Sequence, residues 1–522
     1  MSNSIEAAPA RRRTVLANLI AHLAPGAARA AAFERFSLAL ERHLLPNADL
    51  ASSSDGTGVQ RRIVVLDMDQ DELAAKLRLL PDDVIAEPEM LRSPALAYPA
   101  PLQPTRRADA SAPGSGAQLE LRLVNRWGAG VGGATVMVAF HRIDAPATSV
   151  TTGAVSDGAG QVSLAYDALA WAPAFVAVEP AGGYWTLAAS QPCSGHTLLL
   201  RELDDGAALH WWHLVCGLGG AAMRAGGGVR IGVVDTGIGP HPALAHAHGL
   251  GAIADGVFCA GAQAARDCQT HGTHVSGIIG ARAMDGADGA ATPLGLAPEA
   301  QLMMLRIFGQ HGGGSQADVS AALDLLAGAH RADIINLSLV GDPSRLEHDA
   351  ISAAYGHGCV CVCAAGNQNG AAVGAPASYP ESIAVSALGL LNTAPPGSMG
   401  AFNMPQAPQC FTQGGLFLAS FSNVGPQLFC SAPGNGIVST IPVRGADPEP
   451  YADMCGTSMA APMVSAILAC LLAEDDAYLA MPRDQARAIA AKAILARFCH
   501  PLGLGYALEG RGVARVAAAL RR

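Results

Sequence analysis

Gly456-Thr457-Ser458-Met459-Ala460-Ala461-Pro462 opens an apolar run that continues to Leu472. The run predicts a helix over Met459 to Leu472 with Ser458 at its start. A hydroxyl there lies at the partial positive end of the helix dipole, where negative charge is stabilised. Pro462 suits a helix whose first turn includes it, because first-turn N–H groups have no intrahelical partner. The commonest use of a serine at such a place is an N-cap. The stretch is not the Gly-x-Ser-x-Gly elbow, since Ala460 holds the place of the final glycine.

Towards the N-terminus, short apolar runs alternate with helical ones. Arg230 to Val234, Ile334-Ile335-Asn336-Leu337 and Val360-Cys361-Val362 read as buried strands, and Ala317 to Ala329 as a helix. Alternation of this kind implies an α/β class, a parallel sheet with helices on both faces. Sites in such sheets form at the carboxyl ends of strands, and Val233-Val234-Asp235-Thr236-Gly237 puts an acid there. A strand-end Asp alone is often only a turn or cap residue. Asp-Thr-Gly also occurs in two-carboxylate proteases, but no second Asp-Thr-Gly or Asp-Ser-Gly is present to share the proton. His271-Gly272-Thr273-His274-Val275-Ser276-Gly277 follows. Two histidines three apart can share a helix face and a metal, yet the helix that follows offers no third ligand. Small residues beside His271 instead suit a helix that starts in a crowded place.

In the order Asp, His, Ser, these three segments resemble the subtilisin family of serine proteases. Gly295-Leu296-Ala297-Pro298, Asn336-Leu337-Ser338-Leu339, Ala364-Ala365-Gly366-Asn367, Phe421-Ser422-Asn423-Val424-Gly425 and Ala432-Pro433-Gly434 agree, so the resemblance runs from Val229 to near the C-terminus. It implies that Ser458 attacks the scissile carbonyl, that His271 takes and returns the proton, and that Asp235 orients His271. Asn367 matches the side-chain donor of the oxyanion hole, acting with the Ser458 N–H. His274 matches a structural histidine. Ser338 and Leu339 match the strand that pairs with an extended peptide. Ala364, Ala365, Gly366 and Gly374 match the first specificity pocket, which implies a medium or large apolar residue before the scissile bond. Val340 stands where a glycine is common and is expected to narrow the deeper subsites.

The implied activity is hydrolysis of internal bonds in peptide or protein substrates through an acyl-enzyme, with no cofactor and no catalytic metal. Arg282 to Thr292, with Asp285 and Asp288, takes the place of a calcium loop in some relatives without matching it, so a structural calcium stays open. One rival reading is a protein-binding module that keeps the fold without turnover; an intact triad and Asn367 count against it. The other is a metal hydrolase using His271 and His274.

Residues 206–522 form the expected catalytic domain. Before it, the first 50 residues read as helical, from Val15, Leu19 and Leu23, then Phe33, Phe36, Leu40 and Leu44. Ala51 to Gly58 is a linker. Within 60–100, strand Ile63 to Leu66, helix Asp71 to Leu80 and strand Val84 to Glu87 follow the order of subtilisin prodomains, which inhibit the enzyme they precede. The own N-terminal region is therefore expected as an intramolecular inhibitor, with Glu89 to Leu96 carried back across the cleft. Pro94 to Gly116 carries five prolines and reads as an extended linker. Residues 117–200 loosely resemble a small Ig-like β-sandwich, on the alternation Leu119-Leu121-Leu123 and Val136-Val138-Phe140, the run Gly132 to Val136, and the turn Asp157-Gly158-Ala159-Gly160.

The 522 residues carry 33 Lys and Arg against 43 Asp and Glu, a net charge of −10. With no basic run beyond Arg11-Arg12-Arg13, neither nucleic acid nor an anionic membrane is an expected partner. No stretch is long and apolar enough for a membrane helix. Arg11-Arg12-Arg13 before Thr14 to Ala30 allows export by an N-terminal signal, but His22 interrupts the apolar run and a cytoplasmic location is favoured. Among 12 cysteines, Cys359, Cys361 and Cys363 alternate on one strand and are expected to pack as small hydrophobes. Cys259 with Cys268, or Cys410 with Cys430, could pair in an oxidising compartment.

Overall fold

A computed structural model describes residues 12–21, 27–39, 61–68, 83–97, 116–203, 209–218, 225–282, 295–309, 313–443 and 450–516. Its largest unit is an eleven-stranded sheet. In spatial order it runs Val257–Ala260, His248–Ala254, Gln301–Arg306, Arg230–Asp235, Ile334–Leu337, Val360–Ala364, Ile383–Leu390, Leu428–Pro433, Val513–Ala514 and Cys499–His500, with Leu416–Leu418 added beside Ile383–Leu390. Neighbours pair in parallel except at the two ends and at Leu416–Leu418. Ile334–Leu337 and Val360–Ala364 are buried at every residue, as strands covered on both faces must be.

The alternation along Val360–Ala364 separates the two layers. Val360, Val362 and Ala364 join Met463, Val464 and Ile467 of the helix Thr457–Ala473. Cys359, Cys361 and Cys363 pack on the other side with Ile335, Leu337 and Ile351, as small apolar groups. Burial pushes the Cys363 thiol up to about 12, which keeps it inert. All twelve cysteines are free thiols. The two candidate disulfides are not formed: Cys268 Sγ lies 3.4 Å from Phe308 O, and Cys430 faces Cys499 rather than Cys410.

Helix Thr457–Ala473 departs from expectation at its proline. Pro462 lies inside the helix, beyond the first turn. The N–H it lacks would have reached the carbonyl of Ser458. That carbonyl instead accepts from Ser338 Oγ at 2.8 Å, so a side chain of a neighbouring strand replaces the missing helical bond.

Residues 117–200 form two facing sheets. One has the order Leu187–Ser190, Trp171–Glu179, Thr135–Arg142, Ser149–Val155; the other His196–Leu199, Ala117–Val124, Gln161–Tyr166. Leu119, Leu121 and Leu123 meet Val136, Val138 and Phe140 in the core between them. The turn after Asp157 is held by its Oδ1, which accepts from Ala159 N and Gln161 N. Gly160 follows at φ +77°, where a Cβ would lie 2.1 Å from Leu123 O.

The N-terminal reading needs correction. Arg12–Asn18, expected as helix, is a strand lying antiparallel between Ile63–Met68 and Val84–Pro88. Val15 and Ala17 pack with Ala317 and Leu346 of the large-sheet domain, while Leu16 between them points to the opposite face and is also fully buried. A surface helix buries one stripe, whereas a central strand buries consecutive residues. Burying Val15 and Leu16 together stabilises by roughly 3–6 kcal/mol, which outweighs the helical spacing. Ala27–Ala39 is the helix that follows. Leu23, Leu40, Leu44, the linker 51–58 and the expected helix 71–80 lie outside the described residues. Among the described residues no helix is long and apolar enough to cross a membrane.

Candidate active site

Asp235 ends its strand fully buried, and its Oδ1 accepts from Thr236 N at 2.7 Å. His271 Nδ1 lies 2.7 Å from the same Oδ1; this contact assigns the ring proton to Nδ1. His271 begins the helix His271–Gly280. The crowding expected there is real: a Cβ on Gly272 would lie 2.2 Å from Gly237 O, and one on Gly277 would lie 2.2 Å from Thr440 Oγ1. Thr270, just before His271, holds φ at +124°, a strained value for a threonine.

Asp267 holds that strain in place, and nothing in the sequence singled it out. Its carboxylate accepts from Thr236 Oγ1, Gln269 N, Thr270 N, Thr273 N and Thr273 Oγ1. It thereby ties the Asp235 loop to the start of the His271 helix. The sequence shows only an acid followed by Gln269, Thr270 and Thr273, a pattern too common to point to it. His274 Nε2 lies 3.0 Å from both Ile437 O and Ala452 O, bridging two strands. Burial lowers its pKa to about 3, so it is neutral and structural.

Ser458 is the second residue of its helix, not the N-cap. Its N–H is therefore one of the first-turn amides that helices leave free. It donates at 3.2 Å to the carbonyl of Ala95, and Asn367 Nδ2 donates to the same oxygen. The Asn367 amide is fixed from behind, where its Oδ1 accepts from Thr457 N at 3.0 Å and Thr457 Oγ1 at 2.9 Å. A Cβ on Gly456 would lie 2.4 Å from the Ala95 oxygen, so glycine is what lets the carbonyl in. The Ser458 hydroxyl donates to Ser338 O at 2.9 Å, and His271 Nε2 is buried without a partner among the described residues. The Asp–His bond is made and the His–Ser bond is not.

The occupant of the cleft is the chain itself. Ser93 pairs with Val340 and Pro94 with Leu339, antiparallel. Ala95 N donates to Ser338 O at 3.1 Å, and Ala97 N to Cys455 O at 2.8 Å. On the far side Arg92 N donates to Gly314 O at 2.9 Å. Residues 92–97 thus run through the cleft as an extended strand between Gly313-Gly314-Ser315 and Ser338-Leu339-Val340. The Gly314 wall was missed by sequence reasoning, although Gly313-Gly314-Ser315 is a visible signal for close backbone approach. Ala364 and Ala365 are buried in the strand end beside Gly366, and Gly374 N donates to Ala365 O at 3.0 Å. A Cβ on Gly374 would lie 2.6 Å from Val340 Cγ2, so Val340 reaches across this pocket.

Two further walls matter. Arg92 Nε and Nη2 bond Glu347 Oε1 and Oε2 at 2.8 and 2.9 Å, with neither side chain exposed. A cavity of about 390 Å³ lies beyond Leu96 and Ala97, between the large-sheet domain and the sandwich residues Thr135, Glu179 and Tyr184. Among the described residues no cluster of His, Cys, Asp or Glu could hold a metal ion. Of the candidate calcium segment Arg282 to Thr292, residues 283–292 lie outside the described residues.

A parallel sheet carries an acid, a histidine and a serine in that chain order, with a helix-start amide and an asparagine around one carbonyl. Residues 226–506 match the model of the subtilase family, peptidase S8, and the chain belongs to that family. It is 35% identical to the minor extracellular protease Epr of Bacillus subtilis (strain 168) over 259 residues, 49% of this chain and 34% of that protein. It is 32% identical to M-protease of Shouchella clausii (strain KSM-K16) over 47% of this chain and 54% of that one. It is also 32% identical to subtilisin Savinase of Lederbergia lenta over 46% of this chain and 74% of that one. The chain thus spans about a third of the first of these relatives and about half of the second.

Proposed function

We propose that this chain is a serine endopeptidase whose N-terminal unit occupies its cleft as an intramolecular inhibitor. Ser458 is the nucleophile, His271 the general base, Asp235 its orienting carboxylate and Asn367 the side-chain oxyanion donor. The observation that carries the reading is the Ala95 carbonyl, which accepts from Ser458 N and Asn367 Nδ2 beside a serine hydroxyl. Donors converging on a carbonyl oxygen stabilise the negative charge it gains when a nucleophile adds. For attack, the Ser458 hydroxyl turns from Ser338 O to His271 Nε2, which takes its proton as the Oγ–C bond forms. Asp235 stabilises the resulting imidazolium, which then gives the proton to the leaving amine. Water repeats the sequence on the acyl-enzyme. Side chains and main-chain amides supply every step, so no cofactor enters the proposal.

Substrates are peptides or proteins that enter extended, pairing with Ser338 to Val340 as Ser93 and Pro94 do. Val340 reaching to Gly374 favours a small apolar residue such as Ala before the cut, a narrower range than the small residues at 364–366 suggest alone. The test is to incubate the full chain and its Ser458→Ala variant, then sequence new N-termini and assay casein. The parent is expected to yield a chain starting at Leu96 and to gain caseinolytic activity as it does; the variant is expected to do neither. A variant that still cuts casein near the parent rate removes Ser458 from the mechanism.

A further inference from the structure

The path of a peptide through this cleft is set by main-chain contacts that ignore side-chain identity. Arg92 N reaches Gly314 O, Ser93 pairs with Val340, Ala95 N reaches Ser338 O, and the Ala95 carbonyl lies between Ser458 N and Asn367. Any peptide on that path puts its fourth residue before the cut where Arg92 now lies. There it meets Glu347, on the first turn of the helix Arg345–Gly356, through two parallel N–H···O bonds with both side chains at 0% exposure.

The pocket is shaped to this group. A Cβ on Gly341 would lie 2.5 Å from Arg92 Nη1 and 2.9 Å from its Cδ, so only glycine admits the guanidinium and its stem. Nη1, turned away from the carboxylate, lies 3.4 Å from Met90 O and Leu91 O. The Tyr379 hydroxyl lies 3.2 Å from Glu347 Oε2 and 3.0 Å from Ser344 O, which fixes the carboxylate from the opposite side. A carboxylate so enclosed is costly without a cation. When residues 83–97 leave, the pocket is left with a desolvated acid and room for a planar cation.

We propose, resting on the proteolytic reading above, that Glu347 makes this a site for substrates with arginine at the fourth position before the scissile bond. Together with the small first pocket, the substrate class is Arg-x-x-Ala, of which Arg92-Ser93-Pro94-Ala95 is the chain's own copy. Lysine has the charge but not the fork, and meets one oxygen at a time. Leucine and glutamine leave the acid unpaired.

The experiment uses the full chain and four internally quenched peptides, X-Ser-Pro-Ala-Leu-Ala with X as Arg, Lys, Gln or Leu. The Arg peptide is expected to exceed the Leu peptide in kcat/KM by on the order of 100-fold or more, with Lys between them, because a site built to bond a polar group rejects analogues lacking it. Glu347→Gln is expected to bring the Arg-to-Leu ratio near one. That ratio, rather than absolute rate, is the readout, so partial loss of folded protein does not imitate the result. If the parent cuts the Arg and Leu peptides equally, the specificity is overturned while the protease stands. If it cuts casein but none of the four, this inference alone is overturned; if it leaves casein and its own chain intact as Ser458→Ala does, the proteolytic reading falls and this inference with it. A parent that prefers Arg while Glu347→Gln keeps the preference assigns the recognition to another residue and overturns the role of Glu347.

Discussion

At the scale of single residues, Asn367 and Ser458 are held in place by other groups. Thr457 N and Oγ1 both bond Asn367 Oδ1, leaving Nδ2 aimed at the Ala95 carbonyl. In the proposed reaction, charge on a carbonyl oxygen held there develops mainly in the transition state. Asn367→Ala is therefore expected to lower kcat by about 10²–10³, roughly 3–4 kcal/mol, with KM little changed. Steady-state kinetics on a peptide cut after Ala checks this, and a rise in KM at constant kcat would instead place Asn367 in ground-state binding. Asp235, His271, Asn367 and Ser458 were legible because each sits in a short motif with unusual neighbours. Asp267 and Glu347 were not. Each is one acid among 43 Asp and Glu, and only the folded chain shows which hydroxyls, amides or guanidinium it meets.

At the scale of elements, sequence periodicity read the buried strands and the long helix well, since Val360–Ala364 and Thr457–Ala473 are apolar on every side. It misread Arg12–Asn18, because four consecutive apolar or small residues fit either period and only the flanking strands decide. It also placed Pro462 one turn too early. The consequence is a bond between elements: Ser338 Oγ donates to the Ser458 carbonyl that Pro462 leaves without a helical donor. Ser338→Ala should thus cost stability in two parts, through Ser458 O and through Asn336 Nδ2, which bonds the same hydroxyl at 2.9 Å. In a Pro462→Ala background an amide N–H is available to Ser458 O, and only the second part should remain. The expected coupling is about 1–2 kcal/mol, the cost of a buried carbonyl with no donor. Urea unfolding of the parent, both single variants and the double variant measures it; additive effects would mean that the Ser338 hydroxyl does not stand in for the helical bond.

At the scale of the whole molecule, two units are built onto the large-sheet domain, both with apolar contacts but with different polar ones. Beside the packing of Val15, Ala17 and Ile85 on Ala317 and Leu346, the N-terminal unit docks through a buried cation, Arg61, which meets Asp324 and Asp349, and through Glu87, half-buried, which accepts from Ser344 Oγ, Arg345 N and Leu346 N at the start of the helix that carries Glu347. Removing Arg61 would strand Asp324 and Asp349 as buried charges without their cation. The sandwich docks through apolar packing of Phe175, Ala177 and Ala188 on Met399, an edge-on contact of Phe175 with Phe402, and main-chain bonds from Ala188 N to Gly397 O and Gly183 N to Tyr451 O. A buried carboxylate lies within it. Asp453 accepts from Thr186 N at 2.6 Å and Thr186 Oγ1 at 2.7 Å, yet burial raises its pKa to about 6. With the folded value above the ordinary value near 3.8, the native state binds a proton more tightly than the unfolded chain. The stability this group contributes is therefore present at low pH and is lost as pH rises from about 4 through about 6. Asp453→Asn keeps an acceptor for Thr186 N, and its amide can donate to Thr186 Oγ1, with no charge to bury. Relative to the parent it should be more stable at pH 7.5, by on the order of 2 kcal/mol, with the advantage shrinking towards zero near pH 4. Thermal or urea midpoints of both proteins across that range decide the matter. An advantage that does not change with pH would show that Asp453 keeps its charge in the interface and that the Thr186 bonds outweigh its desolvation.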